Sequence, residues 1–246
     1  MNIIIDDKTC PAMAGEMLLT VARRNNIHIP TLCHSDALPG QATCRLCIVE
    51  VVEKGRAKVV TSCVYPVTQP MEVHTHSPKI LALRRTIIKL LAARAPHSED
   101  IQQLMEEYQI TIPRRLHGSS TESCVLCGLC VKACEKLGLT AIATVGRGTG
   151  KKISTPYDEP ADDCVGCGTC AQNCPTGAIP IEEQPTRRTI WGKSFELLSC
   201  SVCGHAFTTR EQWEHIRRQV PGISDTPVCE SCRKQQLCAQ LRRGHQ

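Results

Sequence analysis

The sequence predicts an α+β protein built from several small domains. The first 78 residues combine short β-branched runs with one segment of helical spacing, and two cysteine runs in mid-chain are each followed by a short helical pattern. The length of 246 residues is enough for two or three domains, and an aromatic content of only 3% favours several small cores over one large core.

Residues 1–78 are predicted to form a small mixed sheet crossed by one helix, which is a β-grasp plan. Helical spacing extends over Gly15–Asn26, and Gly55 lies in a turn that is typical of a hairpin. The expected strands lie in five segments: Asn2–Asp6, Thr9–Ala14, Ile48–Val52, Lys58–Thr61 and Val67–His74.

Four cysteines in this region have the general plan of a [2Fe–2S] ferredoxin. Ten residues separate Cys33 from Cys44, two separate Cys44 from Cys47, and fifteen separate Cys47 from Cys63. Plant-type ferredoxins have only four residues in the first gap, so this spacing is a variant. Four thiolates are needed because each of the two irons takes two protein sulfurs. Gly40 is expected to let the loop turn tightly around the cluster.

Residues 79–115 are predicted to be a helical connector. A helix is expected over Lys79–Arg94, with the pair Arg84-Arg85 on its exposed face. Ser98 is expected to cap a second, shorter helix that places Ile101, Leu104, Met105 and Tyr108 on one face.

Residues 116–181 contain the same cysteine run twice, forty residues apart. Both copies have a two-two-three spacing, and the second is followed directly by Pro175, as in bacterial two-cluster ferredoxins. In such proteins the fourth cysteine of each run ligates the cluster of the other run. The first [4Fe–4S] cluster is therefore predicted at Cys124, Cys127, Cys130 and Cys174. The second is predicted at Cys134, Cys164, Cys167 and Cys170.

Between the runs, Gly146–Lys152 is glycine-rich and basic but lacks the spacing of a phosphate-binding loop. Short helices are expected after the cysteine runs, at Val131–Lys136 and Ala171–Asn173.

Residues 182–246 are predicted to be a polar linker, Glu182–Arg188, followed by a zinc-ribbon-like domain. Two Cys-x-x-Cys pairs lie twenty-five residues apart, and together they offer a tetrahedral Zn²⁺ site: Cys200, Cys203, Cys229 and Cys232. Phe207 and Trp213 are expected in its core, with a helix over Arg210–Val220. A Cys₄ set does not name its metal, so a third [4Fe–4S] cluster stays an alternative.

The eighteen cysteines are expected to hold metal in a reducing compartment, because the N-terminal segment Met1–Lys8 shows no signal-peptide pattern. No apolar stretch approaches the roughly 20 residues of a membrane-spanning helix, so we expect a cytoplasmic protein without direct membrane insertion. A net charge of +5 is too small to predict nucleic-acid binding.

Several motifs resemble the N-terminal part of the large iron–sulfur subunit of respiratory complex I. They also resemble the related subunits of NAD-linked hydrogenases and formate dehydrogenases. The resemblance covers roughly residues 1–180 and is carried by Ile29–Cys33, Cys44–Val51, Ser62–Val67 and Val73–Pro78. It implies one [2Fe–2S] cluster at Cys33–Cys63 and two [4Fe–4S] clusters in the double run. The family usually places a His and three Cys after the connector helix. Here His97 has no accompanying thiolate, so that cluster is predicted to be absent.

The resemblance implies an electron-transfer subunit with no catalytic centre of its own. Its expected partners are a flavin- and NAD(P)H-binding subunit like the complex I flavoprotein, and a further redox or catalytic subunit. Soluble ferredoxin is a third partner if the assembly bifurcates electrons. An iron–sulfur and zinc regulatory or nucleic-acid-binding protein is the alternative, supported by the basic tail residues Arg233, Lys234, Arg242 and Arg243. A stand-alone ferredoxin-like carrier is the third hypothesis.

Overall fold

The N-terminal region folds as a five-stranded mixed sheet with one helix packed on it, as predicted. The structure, a computed structural model, describes residues 1–116 and 122–243, of which Arg242 and Arg243 are described by backbone only. The strand order is β2-β1-β5-β3-β4, with β1 and β5 parallel and the other pairs antiparallel. The strands are β1 (Asn2–Ile5), β2 (Lys8–Pro11), β3 (Ile48–Glu53), β4 (Arg56–Thr61) and β5 (Glu72–His74).

Helix α1 (Leu18–Arg24) buries Leu18, Leu19, Val21 and Ala22 against this sheet. The inward side chains of β1 and β3 complete the core, because alternate residues of a strand point to the same face. Cys10 lies fully buried in β2, as expected for a cysteine outside the metal-binding sets.

Two helices connect the sheet to the rest of the chain. Helix α2 (Pro78–Arg94) begins at Ser77, whose side chain accepts a hydrogen bond from the Ile80 N–H. Helix α3 (Glu99–Glu107) follows Ser98, which occupies the N-cap position. The Ser98 hydroxyl is buried and makes no capping bond, so the predicted cap is wrong in its chemistry although the helix begins where expected.

Arg84 is fully buried, which corrects the prediction that it lies on an exposed helix face. Its guanidinium donates to the Leu46 carbonyl at 3.0 Å and to the Ile48 carbonyl at 2.8 Å. Further bonds reach the Thr75 carbonyl and the Tyr108 hydroxyl, each at 3.2 Å. All four acceptors are neutral. Arg84 therefore fixes the segment between Cys44 and β3 to the connector helices.

The middle region contains two short helices, and each of them carries at least one cysteine of a different run. Helix α4 (Leu129–Lys136) and helix α5 (Thr169–Gln172) pack against each other. Each is preceded by a glycine in the left-handed region, Gly128 with φ 81° and Gly168 with φ 74°. The two-stranded sheet of β6 (Ala143–Val145) and β7 (Lys152–Ser154) is connected by the glycine-rich loop that starts at Gly146.

The predicted linker over Glu182–Arg188 is wrong, because this segment forms strands. A four-stranded antiparallel sheet has the order β11-β10-β9-β8, with tight turns between β8 and β9 and between β9 and β10. Its strands are β8 (Ile181–Gln184), β9 (Arg187–Ile190), β10 (Lys193–Ser199) and β11 (Ala206–Thr209).

Two tail helices follow the sheet. In α6 (Arg210–Gln219), Trp213 is buried and Ile216 is half-buried, which agrees with the predicted inward face. Phe207 meets the Trp213 ring edge-on, with 6.5 Å between the ring centres. Helix α7 (Glu230–Arg243) was not predicted. Within the described part of the chain, no helix has the length and apolar character to cross a membrane.

Replacing Arg84 with Met should destabilise the N-terminal sheet by about 3 kcal/mol, because buried carbonyls lose their donors. Native-state hydrogen exchange at the amides of β3 measures this loss. Arg85→Met is the matched control, since Arg85 is exposed and makes one bond, to the Tyr108 carbonyl at 3.3 Å. Equal protection in the two variants would contradict the role of Arg84.

Candidate metal centres

The first cysteine set converges in two pairs. Cys33, Cys44, Cys47 and Cys63 are all buried, on the loop before β3 and at the end of β4. The Cys44 N–H donates to the Cys33 sulfur at 3.3 Å, and the sulfurs of Cys47 and Cys63 lie 3.3 Å apart. Two pairs of thiols match the needs of a two-iron cluster in which each iron takes two protein sulfurs.

Within each of these pairs, the pKa of one thiol is lowered and the pKa of the other is raised. A hydrogen bond from the Cys33 thiol lowers the pKa of Cys44 to about 6, and the pKa of Cys33 is raised by the same contact. A hydrogen bond from the Cys63 thiol lowers the pKa of Cys47 to about 7, while the pKa of Cys63 is raised. Cluster binding at these thiolates therefore releases protons.

Gly40 is required by close approach and not by its backbone dihedral angle. A Cβ on Gly40 would lie 2.8 Å from the Cys63 carbonyl oxygen and 2.8 Å from a methyl carbon of Val64. Gly40 was predicted to let the loop turn tightly. The structure gives it a different role, because its missing side chain makes room for the backbone of Cys63.

The fourth cysteine of each run lies with the other run. One cavity brings together Cys124, Cys127, Cys130 and Cys174, and a second cavity brings together Cys134, Cys164, Cys167 and Cys170. Around the first cavity, the Leu126 N–H donates to the Cys124 sulfur at 3.4 Å and the Ala178 N–H donates to the Cys174 sulfur at 3.2 Å. Such N–H groups stabilise negative charge on sulfur.

Burial raises the pKa of several of these thiols. It raises the pKa of Cys127 to about 11, that of Cys130 to about 12 and that of Cys170 to about 11. Free thiolates are therefore disfavoured at neutral pH, and a bound cation is what makes the charged form stable there. The donor set is all sulfur, which suits iron–sulfur clusters.

The three cysteine sets follow one another through packed protein. Cys33 and Cys44 share one hydrophobic cluster with Cys127, and Cys130 shares another with Cys164 and Cys170. The order in space is therefore the N-terminal set, the cavity of Cys127, and then the cavity of Cys170.

The tail cysteines form a much tighter group. The sulfurs of Cys200, Cys203, Cys229 and Cys232 all lie within 4.8 Å of one another. Among the described residues, no other group of three or more His, Cys, Asp or Glu ligand atoms is this compact. The backbone N–H of Cys229 donates to Cys200 at 3.3 Å, which lowers the pKa of Cys200 to about 6.

The two tail pairs sit on different elements. The first pair lies in the turn between β10 and β11, whereas Cys229 directly precedes α7 and Cys232 lies in its first turn. The second pair thus opens a helix instead of a second β-hairpin, which differs from the predicted zinc ribbon. Cys238 is exposed and His205 is exposed, outside the compact group.

Two family models match the chain where the cysteine sets lie. A "2Fe-2S iron-sulfur cluster binding domain" matches residues 1–78, and a "4Fe-4S dicluster domain" matches residues 120–181. The chain is 30% identical to the NADP-reducing hydrogenase subunit HndD of Solidesulfovibrio fructosivorans over 74% of this chain and 36% of the relative. It is 28% identical to the NADH-ubiquinone oxidoreductase 75 kDa subunit of Reclinomonas americana over 73% of this chain and 29% of the relative.

The chain is a homologue of these hydrogenase and oxidoreductase subunits. A solved structure of an NAD⁺-reducing [NiFe]-hydrogenase in the H₂-reduced state has a similar fold, with a TM-score of 0.61 and 26% identity over 72% of this chain and 85% of the solved chain. This homologue therefore carries a [2Fe–2S] domain and a [4Fe–4S] dicluster domain. It spans about a third of the length of the two curated relatives.

Sequence reasoning missed the side chains that hold the cysteine loops from outside. Arg84, Arg188, Trp191 and Lys193 each contact a cysteine loop, and only Arg84 lies in an element that was predicted. Gly192, together with the alternating run Ser194–Leu197 that follows it, is a turn-and-strand signal that could have revealed β10.

Replacing Gly40 with Ala should abolish the [2Fe–2S] cluster, because the added Cβ displaces the Cys63 backbone. Iron should fall from about ten to about eight atoms per chain, with loss of the [2Fe–2S] EPR signal. Gly150→Ala is the matched control, since a Cβ there meets nothing within 4 Å. Full iron content and an unchanged signal in Gly40→Ala would refute the steric argument.

Proposed function

We propose that this homologue relays single electrons between an NAD(P)H-linked flavoprotein and another redox subunit. The observation that carries the proposal is the unbroken succession of the three cysteine sets through two shared hydrophobic clusters. When bound, one [2Fe–2S] and two [4Fe–4S] clusters supply one-electron carriers. The chain contributes their spacing, their exclusion from water and the hydrogen bonds that set their potentials.

The proposed ligands follow the cavities. Cys33, Cys44, Cys47 and Cys63 hold the [2Fe–2S] cluster, with the Cys33–Cys44 pair on one iron and the Cys47–Cys63 pair on the other. The first [4Fe–4S] cluster is held by Cys124, Cys127, Cys130 and Cys174. The second is held by Cys134, Cys164, Cys167 and Cys170. The cavity linings support this exchange of the fourth ligand.

The partners are inferred from the relatives. These relatives include an NADP-reducing hydrogenase subunit and an NADPH–Fe(3+) oxidoreductase subunit. A flavin- and NAD(P)H-binding subunit on one side, and a hydrogenase, a formate dehydrogenase or a similar oxidoreductase on the other, fit this set. An assembly that bifurcates electrons would also use soluble ferredoxin. We place the complex in the cytoplasm.

We propose zinc for the tail site. A tetrahedral Zn²⁺ with Zn–S bonds of about 2.3 Å places its sulfurs about 3.8 Å apart. The sulfurs of Cys203 and Cys229 lie 3.8 Å apart, and the whole set is within 4.8 Å. Four sulfurs this close suit a single ion better than a third [4Fe–4S] cluster, because four irons would have to fit between the ligand sulfurs.

The nucleic-acid-binding alternative gains no support from the described tail. Lys234 forms an ion pair with Glu230 at 2.6 Å, and Arg233 donates to the Val228 carbonyl at 3.3 Å. The structure describes Arg242 and Arg243 by their backbone only, so their side chains provide no evidence on this point.

Purification of the chain with its native partners tests the relay. NADH or NADPH should reduce the complex and produce one [2Fe–2S] and two [4Fe–4S] EPR signals, whereas the isolated chain should not respond because it lacks the flavoprotein. A chain that purifies without a flavoprotein and is retained on DNA in a salt-sensitive way would favour the regulatory alternative.

The same preparation tests the exchange of the fourth ligand. Cys174→Ser should alter the same [4Fe–4S] signal as Cys127→Ser, and a different one from Cys170→Ser. If Cys174→Ser instead matches Cys170→Ser, each run ligates its own cluster.

Metal analysis of Cys200→Ser tests the tail site. Zinc should fall from about one atom per chain to none while about ten irons are kept, because only the compact set loses a ligand. Cys238→Ser, at an exposed thiol outside the set, should keep both metals. Loss of about four irons in Cys200→Ser would instead mean that the tail holds a [4Fe–4S] cluster.

A further inference from the structure

Residues 181–199, comprising strands β8, β9 and β10, cover the second dicluster cavity. We call them the cover segment. It begins at the last residues of the dicluster family match, which ends at residue 181. Ile190 and Phe195 belong to the same hydrophobic cluster as Cys164 and Cys170. Nothing in the family match or in the predicted ligand set assigns a role to this segment.

Two cations of the cover segment bind the cysteine loop from outside. Arg188 donates to the Gly166 carbonyl at 2.9 Å. The Lys193 ammonium donates to the carbonyls of Ala161, Asp162 and Cys164 at 3.1 to 3.2 Å. These contacts fix the loop that carries Cys164 and Cys167.

The apolar contacts are equally close. Gly166 has φ +66°, and a Cβ there would lie 2.6 Å from the Phe195 ring. Gly168 has φ +74°, and its Cβ would lie 3.1 Å from the Ile181 side chain. Side chains of the cover segment therefore pack directly against the backbone of the cysteine loop, and no layer of water fits between them.

Trp191 lies in the turn of this segment and points at the sulfur sites. Its indole Nε1–H donates to the Cys170 sulfur at 3.4 Å. Its ring lines both dicluster cavities. Trp191 and Gly192 are the two residues of the turn, because Ile190 pairs with Lys193 across the hairpin.

The hairpin turn requires the left-handed backbone of Trp191, but it does not explain why a bulky residue occupies that position. Trp191 has φ 52°, in the left-handed region, where two-residue hairpin turns prefer Asn, Asp or Gly. A bulky residue in this conformation persists where the surroundings need its side chain. Here the side chain supplies the N–H donor to Cys170.

We propose that Trp191 sets the potential of the second [4Fe–4S] cluster through this hydrogen bond. Reduction adds negative charge that is partly carried by the ligand sulfurs, and an N–H donor at Cys170 stabilises that added charge. The potential of this cluster is therefore higher with Trp191 than without it. Because the contact is to Cys170, the effect on the first cluster is smaller. The inference rests on the proposed cluster assignment.

A potentiometric EPR titration of the purified complex tests the inference. Trp191→Phe keeps an aromatic ring in the turn and removes the N–H. One of the two [4Fe–4S] midpoint potentials should shift to a more negative value, with the iron content unchanged. The matched control is Trp213→Phe, because the chain has two tryptophans and, among the described residues, no hydrogen-bond partner reaches the buried Trp213 Nε1. This control should leave both potentials unchanged.

Unchanged potentials in a fully loaded Trp191→Phe complex would overturn the inference. If Trp191→Phe loses iron, a measurement on the unmutated site decides instead. In complex labelled with ¹⁵N at the indole, and carrying Trp213→Phe, ENDOR of the reduced clusters should show a ¹⁵N coupling from Trp191. Absence of that coupling refutes the contact.

Failure of the proposed function looks different from failure of this inference. The unmutated complex would then hold fewer irons than two [4Fe–4S] clusters require, or NAD(P)H would not reduce it. The iron content and the reduction by NAD(P)H are therefore measured on the unmutated complex before any tryptophan variant is compared with it.

Discussion

The cysteine loops of the N-terminal set and of the two dicluster runs meet the same constraint. Loops that hold sulfur-bound clusters turn backbone N–H groups towards the sulfurs, so their carbonyl groups face away and must find donors elsewhere. Arg84 satisfies the carbonyls of Leu46 and Ile48, and Arg94 donates to the Cys124 carbonyl at 3.1 Å. Arg188 and Lys193 do the same for the second run. Each loop is thus completed by a cation from another element.

This arrangement ties the cluster sites to packing between segments of the chain. Arg84 comes from a connector helix and Lys193 from a strand of the tail, so neither site is complete within its own stretch of sequence. The positively charged side chains that bind the loop carbonyls also have an electrostatic consequence. In the dicluster region, burial already raises the pKa of most thiols. Bound clusters would add negative charge there, and a nearby guanidinium or ammonium lowers the cost of that charge.

Periodicity and cysteine spacing predicted much of the fold. The Ile-rich run Asn2–Asp6 and the β-branched run Ile48–Val52 predicted strands that the structure contains as β1 and β3. The helices predicted after the two-two-three runs lie within two residues of α4 and α5. The cover segment was missed because β8 is exposed at all four positions and reads as polar linker. The burial of Arg84 next to an exposed Arg85 depends on tertiary contacts, which no local pattern in the sequence encodes.

The tail contacts the dicluster region through three elements, which are β10, β11 and α6. β10 carries Lys193 and Phe195 at the cavity and ends one residue before Cys200. On the next strand, the Thr209 hydroxyl donates to the Val165 carbonyl, between two cysteines of the second run. His215 of α6 also lies 2.8 Å from the Leu137 carbonyl at the end of α4. A metal held by the compact cysteine set would fix the far end of the cover segment, which is a structural role that does not require the tail to carry electrons.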